Sequence, residues 1–506
     1  MKIPIRLLPI LTGFCLLQLP LSVLGQNEPP VLKDSIHSAI LNETRELHVI
    51  LPKGYQPGSA QRYEMLYILD GEWYQELVPF TYNFAASAGY LPDCIFVLVR
   101  NRYSGGRNLR DRDFSPTHIP ADPISGGAGR FYDFLTREVV PYIERKYPAS
   151  GVRSLLGSSF SGLFSVYAFL KDPAFFQSFI ASDPNLNFDQ HYIVKLAAQR
   201  LPGISGAPGT LYIAGRTNTY RPGGVFAFDS VLQAHAPALL KWQCMRYDNE
   251  THYSVQLKAF YEGLRFSHYG YSARAPEFHP MNGMVSGSRS FMIYSLNDNP
   301  SARFTTDGSE TNLASHIMRR DTSFVITAPA RIRIRTFANR SAYVKEWTGN
   351  FSIGRLLPGQ SRNKRAPNGL TYKVYDGSWD TFPNTGALTP ARSGVADSLI
   401  KVNALVQQHT AFLVMEGSID ITEDAEYIFY ANGYDAVRLT LGTKTLLHEE
   451  GISRNLSASY IVSLAKGKYP LRLELLHTTA AAETHFSVYR SKSGDDQWWE
   501  HRLLDF

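Results

Sequence analysis

Along the first half of the chain, apolar positions fall into two alternating rhythms. Glu46-Leu-His-Val-Ile-Leu51 alternates apolar with polar residues, as a half-buried strand does. Met65-Leu-Tyr-Ile-Leu69 and Cys94-Ile-Phe-Val-Leu-Val99 are unbroken apolar runs, which suit strands covered on both faces. Between Arg130 and Lys146 the period changes to 3.6: Phe131, Phe134, Leu135 and Val139 share a face that Tyr142 and Ile143 continue. A Leu155-Leu156 strand, a helical run from Leu163 to Leu170, and strand-like runs at Phe179–Ala181, Leu211–Ala214 and Trp242–Tyr247 follow. Strands alternating with helices predict an α/β fold, a mostly parallel sheet covered by helices on both faces. Chemistry in such sheets gathers where the strands end.

After Pro276–Pro280 the helical period stops. Short strands are expected at Ser290–Tyr294, Ala302–Thr306, Ser323–Thr327 and Arg331–Phe337, then at Ala411–Gly417, Ala425–Asn432, Ala436–Leu441, Tyr460–Leu464 and Leu471–Leu476. A polar stretch over 355–368 separates the two groups. The pattern therefore predicts a leader over 1–25, an α/β domain over 26–275, and two all-β sandwich domains over 281–355 and 366–506.

The leader is read from Lys2 and Arg6, the apolar stretch Leu7–Leu24 and the small Gly25 before Gln26. It predicts a secreted or periplasmic protein. Pro9 and Pro20 make this stretch a poor spanning helix, and no transmembrane segment is expected in the mature chain. The net charge of +6 is spread over scattered Lys and Arg, which excludes a nucleic-acid footprint. Cys94 and Cys244 lie in apolar strand-like stretches, with no spacing that suggests a metal site, and two buried free thiols are expected. No cofactor is expected.

Candidate chemistry centres on Ser154-Leu-Leu-Gly-Ser-Ser159-Phe-Ser-Gly-Leu163. An apolar strand enters a cluster of small residues and an apolar helix leaves it, the local shape of a nucleophile elbow with Ser159 at its tip. Gly157 holds the first glycine of G-x-S-x-G, and Ser161 stands in place of the second. A serine nucleophile needs a base. His252, in Asp248-Asn-Glu-Thr-His252-Tyr-Ser-Val255, follows a strand, precedes a helix and comes after the serine in chain order. Oxyanion donors are expected from the N–H of Phe160 and from that of Gly71 or Glu72, just past the Met65–Leu69 strand. The base's partner is expected past the Leu211–Ala214 strand, in Gly215–Gly224, a loop without a carboxylate. Asn218 in that loop and Asp229 downstream are the candidates. Asp248 and Glu250, beside the histidine, are local alternatives, and a two-residue Ser–His site is a third.

Taken together, these segments resemble an α/β-hydrolase esterase family that includes enterochelin esterases, feruloyl and acetyl-xylan esterases and S-formylglutathione hydrolase. The resemblance covers nearly all of 35–270. It is carried by Leu69-Asp-Gly71, Arg112-Asp-Phe-Ser-Pro-Thr117, Gly126-Gly127, Gly157–Leu163 and Thr251-His-Tyr-Ser-Val255. It implies Ser159 and His252 as a catalytic pair. The chain departs from the family at Ser158 (usually His), Ser161 and Tyr253 (usually Gly), Asn218 (often Glu or Asp) and Asn187-Phe188 (often paired Trp in the siderophore branch). Phe304-Thr-Thr-Asp-Gly-Ser-Glu-Thr311 resembles a turn of the chitobiase C-terminal-type sandwich. Trp379, Phe412–Gly417, Glu426–Tyr430 and Arg438–Gly442 resemble the protective-antigen-type module. Lectin members of that type bind calcium and sugar through two adjacent Asp, where this chain has Asn432-Gly-Tyr-Asp435. The resulting expectation is an exported serine carboxylic-ester hydrolase acting on an acyl ester of a carbohydrate, acetyl or feruloyl. Glycan binding by the C-terminal module goes with it. The alternatives are a siderophore esterase and a non-catalytic glycan-binding or adhesion protein on a hydrolase fold.

Overall fold

The computed structural model describes residues 31–491, apart from 59, 207–208, 273–277, 288–290, 296–300, 320–321, 360–369, 397–401, 407–409, 450–455 and 478–484. The expected leader and parts of both expected linkers lie outside the described residues. Eight strands form the first sheet: β1 (Val31–Ser38), β2 (Glu43–Ile50), β3 (Tyr63–Leu69), β4 (Cys94–Val99), β5 (Ala149–Ser158), β6 (Ser178–Ser182), β7 (Gly209–Arg216) and β8 (Leu240–Tyr247). Their spatial order is β1-β2-β4-β3-β5-β6-β7-β8. β1, β2 and β4 pair antiparallel, and β4-β3-β5-β6-β7-β8 are parallel. The strands read as continuous apolar runs are the central ones. β3 and β4 are buried along their whole length because helices cover both faces. Leu47, Tyr67, Phe164, Leu211 and Phe228 belong to the core on one face, and Leu66, Leu98, Tyr212 and Phe260 to the core on the other.

Seven helices matter for the site: α1 (Gly71–Tyr74), α2 (Leu77–Ser87), α3 (Arg110–Phe114), α4 (Phe160–Lys171), α5 (Phe188–Arg200), α6 (Val225–His235) and α7 (Ser254–Ser267). The periodic stretch expected from Arg130 to Lys146 is helical from Ala128, with π-helical geometry over Leu135–Val139. The expected free thiols are free, with Cys94 buried and Cys244 half-buried.

The second half is all-β, but its strands do not divide at the expected linker. Asn282–Ser286 pairs in parallel with Glu346–Gly354 on one side and with Leu456–Leu464 on the other. This single short strand joins the two expected sandwiches into one eight-stranded sheet. Gly283 allows the join, because a Cβ there would lie 2.2 Å from Ile461 Cγ2 and 2.7 Å from its carbonyl oxygen. A six-stranded sheet, with Ala411–Ile421 against Gly467–His477 at its centre, packs on this one through Leu413, Leu439, Tyr427 and Phe429.

The β region meets the α/β domain at the amino ends of its strands. Arg340 Nη1 donates to Glu64 Oε2 at 2.7 Å and Nη2 to Ser178 Oγ at 2.9 Å; Glu64 lies at the start of β3, and Ser178 opens β6. The Tyr343 hydroxyl also bonds Glu64, and His268 Nε2 lies 3.1 Å from it. β3 spans about 20 Å at the usual rise, so this contact and the carboxyl end of the sheet are on opposite sides of the domain.

Candidate active site

β3 and β5 are parallel neighbours, so the turns at their carboxyl ends stand side by side. β5 runs into Ser159, whose backbone is forced to φ 59° and ψ −117° before α4 begins at Phe160. That strained turn exposes the serine above the sheet. Gly157 makes the turn possible: a Cβ there would lie 2.3 Å from the Ser161 carbonyl oxygen. Ser161, the departure from the glycine motif, clasps the turn. Its hydroxyl takes the N–H of Ser158 at 2.9 Å and donates to the Ser158 carbonyl at 2.8 Å. The N–H of Ser159 is bonded to Ser182 O in β6, and Asn185 N donates to the Ser159 carbonyl.

The oxyanion expectation rests on two helix starts. Phe160 opens α4, and Gly71 and Glu72 open α1, where N–H groups have no acceptor within their own helix. Gly71 tolerates no side chain, since a Cβ would meet Leu98 Cβ at 2.8 Å. Asp70 ahead of it is left-handed, at φ 52°, and its fully buried carboxylate is gripped by three hydrogen bonds from two side chains. Asn101 Nδ2 reaches Oδ1 at 2.7 Å, and Arg110 binds both oxygens at 2.9 and 2.8 Å. The Arg110 guanidinium also stands 5.0 Å from the Trp73 ring and 5.7 Å from the Phe160 ring. One cation thus touches both chain segments that carry the candidate donors.

His252 lies in the loop between β8 and α7. Its Nδ1 is 2.7 Å from Oδ2 of Asp183, the residue just past the end of β6. The expected partners are corrected here. Asn218 sits in a short helical turn, Thr217–Tyr220, and Asp229 lies in α6, facing Gln233, Tyr220 and Cys244. The local alternatives are occupied elsewhere: Asp248 is bonded to Thr217 and paired with Arg246, and Glu250 holds Lys258 and Ser254. Nor is the histidine left without a carboxylate.

Asp183 is 4% exposed and adopts φ 41°. Burial pushes its carboxyl upward. Hydrogen bonds from His252, Thr219 and Arg216, with the charge of Arg216, outweigh burial and bring it down to about 2. At neutral pH the group is therefore a carboxylate. Its histidine contact must then be an Nδ1–H donor, which leaves Nε2 as the acceptor. Two signals for Asp183 were present in the sequence: it ends an apolar strand run, and it directly precedes a proline.

The surroundings of the site are aromatic. Trp73 and Tyr253 are 51% and 81% exposed, Phe160 packs edge-on against Phe188, and Arg110 and Arg216 are paired with Asp70 and Asp183. Among the described residues, no group of three or more His, Cys, Asp or Glu side chains could hold a metal ion, and no helix is long and apolar enough to cross a membrane.

Residues 38–203 match the Esterase family model. The ferri-bacillibactin esterase BesA of Bacillus subtilis is 28% identical over 169 residues, 30% of this chain and 58% of that protein. A siderophore enterobactin esterase of Emericella nidulans is 30% identical over 93 residues, 18% of this chain and 31% of that protein. Both matches span less than two thirds of the relative's length. An IroE-like serine hydrolase from Shewanella oneidensis is 30% identical, with a TM-score of 0.43 over 47% of this chain and 79% of that one. Over residues 38–203 the α/β domain is thus similar to the Esterase family.

Proposed function

We propose that the chain is an exported serine ester hydrolase, with Ser159 as nucleophile, His252 as base and Asp183 as the base's carboxylate. The observation that carries this reading is the 2.7 Å Asp183–His252 contact beside a serine at φ 59°. Ser159 Oγ attacks the ester carbonyl carbon while its proton passes to His252 Nε2. The N–H groups of Phe160 and of Gly71 or Glu72 hold the oxyanion. Collapse breaks the C–O bond, the imidazolium proton goes to the leaving alcohol, and an acyl-serine remains. Water repeats the attack, and the acid leaves as Ser159 recovers its proton.

The substrate class that best fits the rim is an aromatic acyl ester of the siderophore type. Trp73, Tyr253, Phe160 and Phe188 offer ring faces to the rings of such an acyl group. The two named esterase relatives act, by their names, on such molecules. The β region, which favoured a carbohydrate ester by association, docks at the opposite end of the sheet and loses its bearing on the substrate.

The deciding experiment compares hydrolysis of a catecholate siderophore triester, an acetylated sugar, a feruloylated sugar and p-nitrophenyl acetate by the protein and by Ser159→Ala. The expected result is serine-dependent turnover of all accessible esters, with the highest kcat/KM on the catecholate. Preference for the feruloylated or acetylated sugar would return the substrate to the carbohydrate class. No serine-dependent turnover, with no fluorophosphonate label on Ser159, would leave a non-catalytic binding protein on a hydrolase fold.

A further inference from the structure

The acid of a hydrolase of this topology is expected at the end of β7, yet the residue there is a cation, Arg216. Its Nε lies 2.6 Å from Asp183 Oδ2, the same oxygen that faces His252 Nδ1 at 2.7 Å. The second oxygen, Oδ1, takes the Thr219 hydroxyl at 2.5 Å, and Thr219 is itself tied to Arg216 through the Arg216 N–H at 3.1 Å. The backbone of Asp183 is fixed by its N–H on Ala214 O at 2.7 Å. One buried carboxylate oxygen therefore serves two cationic side chains whenever His252 is protonated.

We infer that Arg216 is a positioning residue that aims Asp183 at His252 and, by sharing its charge, makes protonation of the imidazole harder than an unshared Asp–His pair would. This rests on the esterase reading for its catalytic meaning and on geometry alone for its electrostatic one. Protonating His252 here gathers an imidazolium, a guanidinium and one carboxylate, a net positive charge in a part-buried site.

The other charged or titratable groups on the surrounding elements are committed. Asp248 and Glu250 in the same loop hold Arg246 and Lys258. Asp70 and Arg110, across the cleft, hold each other. The Tyr74 phenol from α1 is pushed up to about 12 by burial, and the Tyr253 ring lies 6.0 Å from the imidazole.

The test is an NMR titration of the His252 imidazole in the full chain, in the parent and in Arg216→Gln, paired with pH profiles of kcat/KM on p-nitrophenyl acetate. A charge removed at this separation should raise the midpoint, and with it the acid limb, by about one pH unit. KM for this neutral ester should not change. Arg216→Lys keeps a cation and should stay near the parent. Arg216→Met, of similar length, replaces the glutamine variant if that does not fold. A midpoint unmoved in Gln or Met, or moved as far in Lys as in Gln, overturns the inference. So does a changed KM for an anionic ester with the titration unmoved, because Arg216 would then be a substrate contact. A shifted titration in a protein without turnover sinks the esterase reading and leaves this one standing.

Discussion

At the scale of the residue, Asp183 decides what His252 can do. Asp183→Asn keeps the side chain's size but lets the amide donate to Nδ1, turning the imidazole to the wrong tautomer. On the reading above, kcat for p-nitrophenyl acetate falls on the order of 10³-fold or more, while Asn218→Ala and Asp229→Asn stay close to the parent. Equal losses in all three variants would remove Asp183 from the mechanism. Its carboxyl is depressed to about 2, against an ordinary 3.8, so its stabilising contribution is complete above about 4 and fades as pH falls through 2. Ser159 and His252 were legible because their types sit at positions that chain order marks. Asp183 was not, because the acid is expected past the next strand, although Ser159, Asp183 and His252 keep the same chain order. β6 and β7 are neighbours about 4.8 Å apart, so an acid at the end of either can reach the same imidazole.

The elbow is the element on which the serine depends. Ser161 is fully buried, and its hydroxyl both accepts from and donates to the backbone of Ser158. Ser161→Ala strands the Ser158 N–H in a dry turn and should cost about 1–3 kcal/mol in urea unfolding, with activity reduced. Gly157→Ala drives a Cβ into the Ser161 carbonyl and should abolish fluorophosphonate labelling of Ser159 even where the protein still folds. Full labelling of that variant would mean the turn has a second way to close. The small residues of Gly157–Gly162 announced the turn, but the hydrogen bonds that replace the missing glycine could not be read from spacing. Less legible still is the start of α5, where Asp189, Gln190 and His191 all have positive φ and Thr117 Oγ1 bonds Asp189 at 2.7 Å. Left-handed backbone at non-glycine residues leaves no mark on hydrophobic periodicity.

Across the whole molecule, the fold class and most strands followed from periodicity, but the boundary between the β modules did not. Composition marks a linker where the chain is polar, whereas Asn282–Ser286 joins the two groups of strands by pairing with partners far along the sequence. The same kind of long-range contact ties the β region to the α/β domain through Glu64, which is 9% exposed. Burial raises the Glu64 carboxyl, and His268, Arg340 and Tyr343 outweigh that and lower it to about 2. Its folded-state pKa is depressed, so the contact stabilises fully above about 4.5 and is lost as pH falls through 2. Removing only one partner is the severe change. Arg340→Ala leaves the buried Glu64 with His268 and Tyr343 but without the guanidinium and should cost about 3–5 kcal/mol in thermal or urea unfolding at pH 7. Adding Glu64→Gln to Arg340→Ala removes the stranded charge and should recover part of that loss. Because the contact lies at the amino ends of the strands, kcat on p-nitrophenyl acetate should hold in any variant that remains folded. A fall in kcat without a fall in stability would mean that the β region reaches the chemistry through the sheet. Unchanged stability in Arg340→Ala would mean that the other contacts, among them those of Tyr343 with Glu64 and of Asn339 with Lys241 and Phe266, hold the two regions together.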